Sequence, residues 1–214
     1  MKNSISLLAV LFLFTSAAFA QGFKVKASGE HTFNFTDKGG RNQATFFSTT
    51  PLEDINGLTN DVRGSVTLNV NDISSMKGTI TIPVSSIKTG INLRDEHLVS
   101  EDWMNASAYP DITFTIKSVS DIKQLEDNKL QAKVPGEFTM HGVTKEISPE
   151  VTLTFLDESE QTKMRAPGDL LGVQAKFKVQ LSDFGVKNKI VGQKVAEVVE
   201  VGVNMVGSNA SNAK

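Results

Sequence analysis

Three histidines, His31, His97 and His141, are the side chains of this sequence best suited to proton or metal chemistry near neutral pH. As a metal set they are poorly spaced. Gaps of 66 and 44 residues separate them, whereas zinc ligands usually include a close pair, such as i and i+4 on a helix. Asp95, Glu101 and Asp102 could pair as carboxylates for acid–base work. They crowd around Arg94 on a polar stretch, however, and read as a solvated or capping cluster. Cys is absent, which removes thiol nucleophiles, disulfides and Cys-ligated metal together. The sequence also has no Gly-x-Ser-x-Gly elbow, no Gly-x-Gly-x-x-Gly turn and no phosphate-cradling Lys motif. Neither enzyme chemistry nor a cofactor or metal is expected. Lys+Arg 22 against Asp+Glu 24 leaves a net charge of −2 over 214 residues, so there is no basic excess to neutralise nucleic-acid phosphates.

The elements that would hold these groups fall into three parts. Residues 1–20 read as an export leader: Lys2, an apolar run from Ile5 to Phe14, then Ala18-Phe19-Ala20 as a small-x-small cleavage site. The mature chain then begins at Gln21, and no later run is long enough for a membrane span. Residues 21–207 form one domain, and 208–214 a small, polar, flexible tail.

Alternation of apolar and polar residues dominates the domain. It is clear at Val66-Leu68-Val70, Ile80-Ile82-Val84, Ile112-Phe114-Ile116, Val151-Leu153-Phe155, Val173 to Leu181 and Val199 to Met205. Eight or more such strands with short turns, several of them long, favour an all-β antiparallel barrel over a sandwich. Residues 92–105 break the pattern and read as a short helical crossing. A barrel of eight strands either packs its interior or encloses one small ligand. The aromatic content, Phe 13 against Tyr 1 and Trp 1, suits a hydrocarbon guest, but alternation alone leaves both options open.

Three motifs are more specific. Lys88-Thr89-Gly90-Ile91-Asn92-Leu93-Arg94-Asp95-Glu96-His97-Leu98 leads to Tyr109-Pro110. Gly136-Glu137-Phe138-Thr139-Met140-His141-Gly142-Val143-Thr144-Lys145 follows, and then Asp183-Phe184-Gly185. In this order, from about residue 44 to 206, the sequence resembles the YceI-like family, extracytoplasmic proteins that bind polyisoprenoid-type lipids. The resemblance implies a lipocalin-like barrel of about eight strands with an isoprenoid or quinone-like lipid in its lumen, a periplasmic or secreted location, no established catalysis, and homodimers among its members. The expected lumen face is Leu68, Ile80, Ile82, Phe114, Phe138, Leu153, Phe155, Phe177, Val179 and Val201, some of it packing the barrel floor. Arg94, Asp95 and His97 would knit the helical crossing to the rim, and Arg94 or His141 is the candidate to meet a lipid head group at the mouth. A filled barrel acting as a stress-linked interaction module without a lumen ligand is the alternative.

Overall fold

The computed structural model describes residues 21–37 and 39–210. The expected leader and the last four residues of the expected tail lie outside the described residues. The chain runs β1 (Glu30–Asn34), β2 (Gln43–Thr49), β3 (Asp54–Thr59), β4 (Arg63–Asn69), β5 (Asp72–Pro83) and α1 (Asn92–Val99). It continues with β6 (Asp111–Ile116), β7 (Ser120–Glu126), β8 (Lys129–Lys133), β9 (Gly136–Met140), β10 (Val143–Ile147) and β11 (Glu150–Leu156). The short helix α2 (Glu160–Lys163), β12 (Leu170–Gln180) and β13 (Val198–Ser208) complete it. The helical crossing expected from the sequence is α1.

All strand pairings are antiparallel, in the order β10-β9-β6-β5-β4-β1-β13-β12-β11-β8-β7. The two ends of this row belong to the same strands. β6 runs on into β7, β8 into β9 through Val134-Pro135, and β10 into β11 through Ser148-Pro149. The row therefore closes on itself as an antiparallel barrel of eight strands: β1, β4, β5, β6–β7, β8–β9, β10–β11, β12 and β13. Proline lacks a ladder donor, so the bends sit where the sheet can spare one. Carbonyls at the bends still accept: Pro135 from Lys117 N–H (3.0 Å) and Pro149 from Val134 N–H (3.0 Å). The hairpin β2–β3 is added alongside the first half of β13.

That addition creates a local problem. This edge of β13 pairs with β1 only at Ser208 and with β2 only from Glu200 to Asn204. Val206, between them, faces no strand on that edge. The fully buried amide of Asn42 takes the missing place: Val206 N–H donates to Oδ1 (2.8 Å), and Nδ2 donates to Val206 O (3.2 Å) and Phe35 O (2.7 Å). Arg165 donates to the same Oδ1 (3.1 Å) and pairs with Asp37 (3.1 Å).

Asp37 also accepts from the Arg41 guanidinium and from the backbone N–H groups of Arg41 and Gly39. The Arg41 side-chain bonds, helped by those backbone donors against the cost of burial, hold its carboxyl at about 2. A depressed carboxylate contributes stability above its unfolded value near 4, and that contribution is lost as pH falls through 2. Urea midpoints measured between pH 5 and pH 2 should show a contribution of about 2 kcal/mol fading with acid. In Asp37→Asn the fading component should be missing.

The closed end of the barrel is built from rings. Phe155 meets Phe33 edge-on at 5.8 Å and lies 5.5 Å from Phe23, with Leu68, Val70, Ile73 and Phe35 buried around them. The segment after Gln21 is laid across this end. Phe23 N–H donates to Val70 O (2.8 Å), Lys24 N–H to Asp127 O (2.7 Å), and Asp157 accepts from Lys26 and Ala27. Leu68 and Phe155 therefore point inward, as their alternation says, but pack the floor instead of lining a lumen. The expected flexible tail also starts later than its composition suggests. Ser208 belongs to β13, and the Asn209 amide is held by Asp169 (3.0 Å) and His31 Nδ1 (2.8 Å).

Candidate functional site

Between the floor cluster and a second apolar cluster at the opposite end lies a cavity of about 500 Å³. This is within the range of pockets that hold small organic ligands. Its lower wall shares Val66, Met76, Val134, Leu153 and Met205 with the floor cluster. Ile80, Phe114, Ala175 and Phe46 carry it upward, and Val201 sits opposite both Phe177 and Phe46 in the strand register. Ile55, Ile87, Ile91, Leu93, Leu98 and Trp103 surround its upper end.

The buried polar groups of the wall are already engaged. Ser48 Oγ, fully buried, accepts from Ala196 N–H (2.8 Å). Thr59 Oγ1 shares a hydrogen bond with Ser86 Oγ (2.7 Å). Among the described residues no buried side-chain nitrogen or oxygen lacks a partner. The buried part of the lumen thus makes no polar demand on a guest, and a hydrocarbon can fill it without orphaning a buried donor or acceptor.

Eight of the ten apolar residues expected at the lumen line it: Ile80, Ile82, Phe114, Phe138, Leu153, Phe177, Val179 and Val201. Arg94 lines it too, at the rim, where Nη2 meets Glu53 Oε2 at 3.3 Å and ties α1 to the β2–β3 turn. Asp95 fixes the start of the same helix by accepting from Thr89 N–H (2.7 Å) and Oγ1 (2.6 Å), bonds that also lower its pKa. His97 faces the cavity from α1. The rim-knitting role of this motif is thus carried by Arg94 and Asp95.

His141 is not in the cavity wall, and its expected head-group role has no geometric basis. His141-Gly142 is the two-residue turn between β9 and β10, with positive φ at both residues (51° and 74°), as a type I′ hairpin requires. The ring is turned away from the lumen. Its Nδ1 donates to Phe184 O (3.0 Å), and Tyr109 meets it edge-on at 5.2 Å. Gly142 must be glycine here for a second reason: a Cβ would strike the Tyr109 ring. Lys145 pairs with Asp183 at 2.8 Å across the same junction. Residues from all three sequence motifs or their edges (Tyr109, His141-Gly142-Lys145 and Asp183-Phe184) therefore meet in one clamp. From it the Phe184 ring packs edge-on against Phe138 (5.4 Å), which packs against Phe177 (5.8 Å), two residues of the lumen wall. The clamp shapes the lumen from outside.

Alternation on β2 and β3 was the missed signal. Phe46 and Ile55 line the cavity, but their inward neighbours are Ser48, Gly57 and Thr59, so the strands do not read as apolar stripes. Gly57 leaves the space that the Phe46 ring occupies. The three histidines sit on separate elements, β1, α1 and the β9–β10 turn, and no group of three or more metal-ligating side chains is gathered among the described residues.

Fold and site together define a small antiparallel β-barrel, lipocalin-like in build, with a floored apolar lumen and a helix at its rim. The chain belongs to the YceI-like family: the YceI-like domain matches residues 22–207. Protein YceI of Escherichia coli O6:H1 is 30% identical over 207 residues, covering 94% of this chain and 97% of that protein. Among solved structures, Burkholderia cenocepacia BcnA aligns with a TM-score of 0.63 at 17% identity, covering 80% of this chain and 99% of that one. A polyisoprenoid binding domain from Saccharophagus degradans, implicated in plant cell wall breakdown, aligns at 0.59 with 13% identity, covering 86% and 99%.

Proposed function

We propose that this protein is a binding protein, not an enzyme, that holds a long isoprenoid-like lipid of the polyprenol or quinone type in the barrel lumen. It would sequester or carry that lipid in the periplasm or outside the cell, after removal of residues 1–20. The observation that carries this reading is a cavity of about 500 Å³ whose wall is largely apolar and whose buried polar groups are already paired. Membership of the YceI-like family and the fold shared with a polyisoprenoid binding domain support the choice of lipid. Burying about ten CH₂-sized units at roughly 0.8 kcal/mol each suffices for micromolar binding after the loss of chain freedom. The alternative, a filled barrel acting as an interaction module, fits the open lumen less well.

Native mass spectrometry of protein purified from its own host, followed by organic extraction, tests the proposal. A hydrocarbon-rich adduct released by solvent is expected. A lipid-free protein that also takes up no polyprenol or quinone in solution would overturn it.

A further inference from the structure

The upper end of the barrel is unusually apolar on its outside. Leu52, at the tip of the β2–β3 hairpin, is 89% exposed; Leu93 and Ile91, at the start of α1, are 60% and 49% exposed; Leu58 and Phe47, on the outer face of β3 and β2, are 43% and 36% exposed. Leu52, Ile91 and Leu93 belong to one rim, and Phe47 and Leu58 continue it down the outer face of the hairpin. Arg94 ties the start of α1 to Glu53, next to Leu52. Leu58 exchanges two backbone bonds with Lys88, three residues before Ile91 (2.8 Å each). Phe47 pairs with Asn56, two residues from Leu58 on the same outer face. The tip is held firmly: Thr50 N–H donates to Glu53 O (3.0 Å) and Glu53 N–H to Thr50 Oγ1 (3.2 Å), which leaves Leu52 presented outward.

Scattered exposed apolar residues are ordinary, but this group has a particular relation to the cavity. Ile91 and Leu93 are at once part of the cavity wall and exposed to solvent. The apolar lining therefore runs out through the mouth and onto the outer rim without a polar break at that point. Charges around it are mixed, with Lys88, Arg94 and Lys194 against Glu53, Asp54 and Glu96, so the rim has no strong field of either sign.

We propose that this rim docks on the surface of a lipid bilayer, with Leu52, Leu93 and Ile91 entering the interface so that the lumen opens directly onto the bilayer. The choice of a bilayer as occupant rests on the lipid-binding reading of the lumen. A chain that resides in a bilayer can then pass along a continuous apolar path without crossing water. Docking is shallow and reversible, because the contact is a few side chains and not a long amphipathic helix. With mixed charge at the rim, it depends little on anionic lipid or on salt.

Flotation of the full mature chain with phosphatidylcholine vesicles tests this, alongside vesicles containing phosphatidylglycerol. The wild-type protein should float with both, at low and high salt. Leu52→Asp, and Phe47→Asp/Leu52→Asp, change residues outside the cavity wall. Each should lower the vesicle-bound fraction by roughly tenfold or more, while uptake of a polyprenol from detergent solution stays at the wild-type level. The docking proposal is overturned by a wild-type protein that stays at the bottom of the gradient, or by variants that float as well as it does. It is overturned equally by binding only to anionic vesicles that high salt abolishes, or by variants whose sole change is loss of a dimer in sedimentation. Failure of the wild type to take up polyprenol from detergent would instead strike the lumen reading, and the flotation result would stand by itself.

Discussion

Replacing Val201 by Trp should lower affinity for a polyprenol or long-tailed quinone by roughly a hundredfold or more while leaving the protein folded. Val201 lies mid-wall, opposite Phe177 on β12 and Phe46 on β2, with its side chain in the lumen. An indole there occupies space that a hydrocarbon chain would fill. Excluding about four CH₂-sized units at roughly 0.8 kcal/mol each removes about 3 kcal/mol of binding free energy. Because the residue borders open volume, the added bulk has somewhere to go, and the cost in stability should stay at the low end of the usual 1–3 kcal/mol for overpacking. Isothermal titration in detergent, with urea unfolding as the control, reads both quantities. Wild-type affinity in Val201→Trp would mean that the guest does not reach the middle of the lumen.

Asn42→Leu should be the most destabilising polar-to-apolar change in the described residues. The amide side chain stands in for a missing strand on the edge of β13. Its loss strands Val206 N–H, Val206 C=O and Phe35 C=O in a buried setting and deprives Arg165 of an acceptor. Orphaned buried groups cost about 1–3 kcal/mol each, so a loss of about 3–6 kcal/mol is expected. For a domain of this size that is a fall in Tm of roughly 10–20 °C. Differential scanning calorimetry decides the matter; a fall of only a degree or two would mean that water replaces the amide and that the site is less enclosed than its geometry indicates. Leu has the branched shape of Asn and is the larger of the two, so the loss would not be attributable to a cavity.

The two cases show where function and framework separate in this chain. Val201 was legible as a wall residue because strand parity is local: successive side chains alternate faces whatever the rest of the chain does. Asn42 carried no such signal. One asparagine in a polar connection is unremarkable until β1 and β2 are found to share the same edge of β13 and leave Val206 between them. His141 shows the reverse error. It looked functional because it is a titratable residue in a specific motif, but its place in a two-residue turn dictates positive φ and a ring facing Tyr109 and Phe184. Tyr109, His141 and Phe184 lie as many as 75 residues apart in sequence, and only folding brings them together.

By itself the amino-acid sequence determined that this protein is built of alternating antiparallel strands, long enough to favour a barrel, and carries few residues suited to catalysis. The two-residue period, the missing Cys and the few, scattered His are properties of composition and local pattern, and they need no knowledge of contacts. Depth along the barrel was decided by tertiary structure alone. Leu68, Phe155 and Leu153 all point inward, but strand register and the bends at Pro135 and Pro149 place the first two in the floor and the third in the lumen wall. Parity says which face a side chain takes; only the pairing of distant strands says how far up the barrel that face lies, and so whether it meets another side chain or open space.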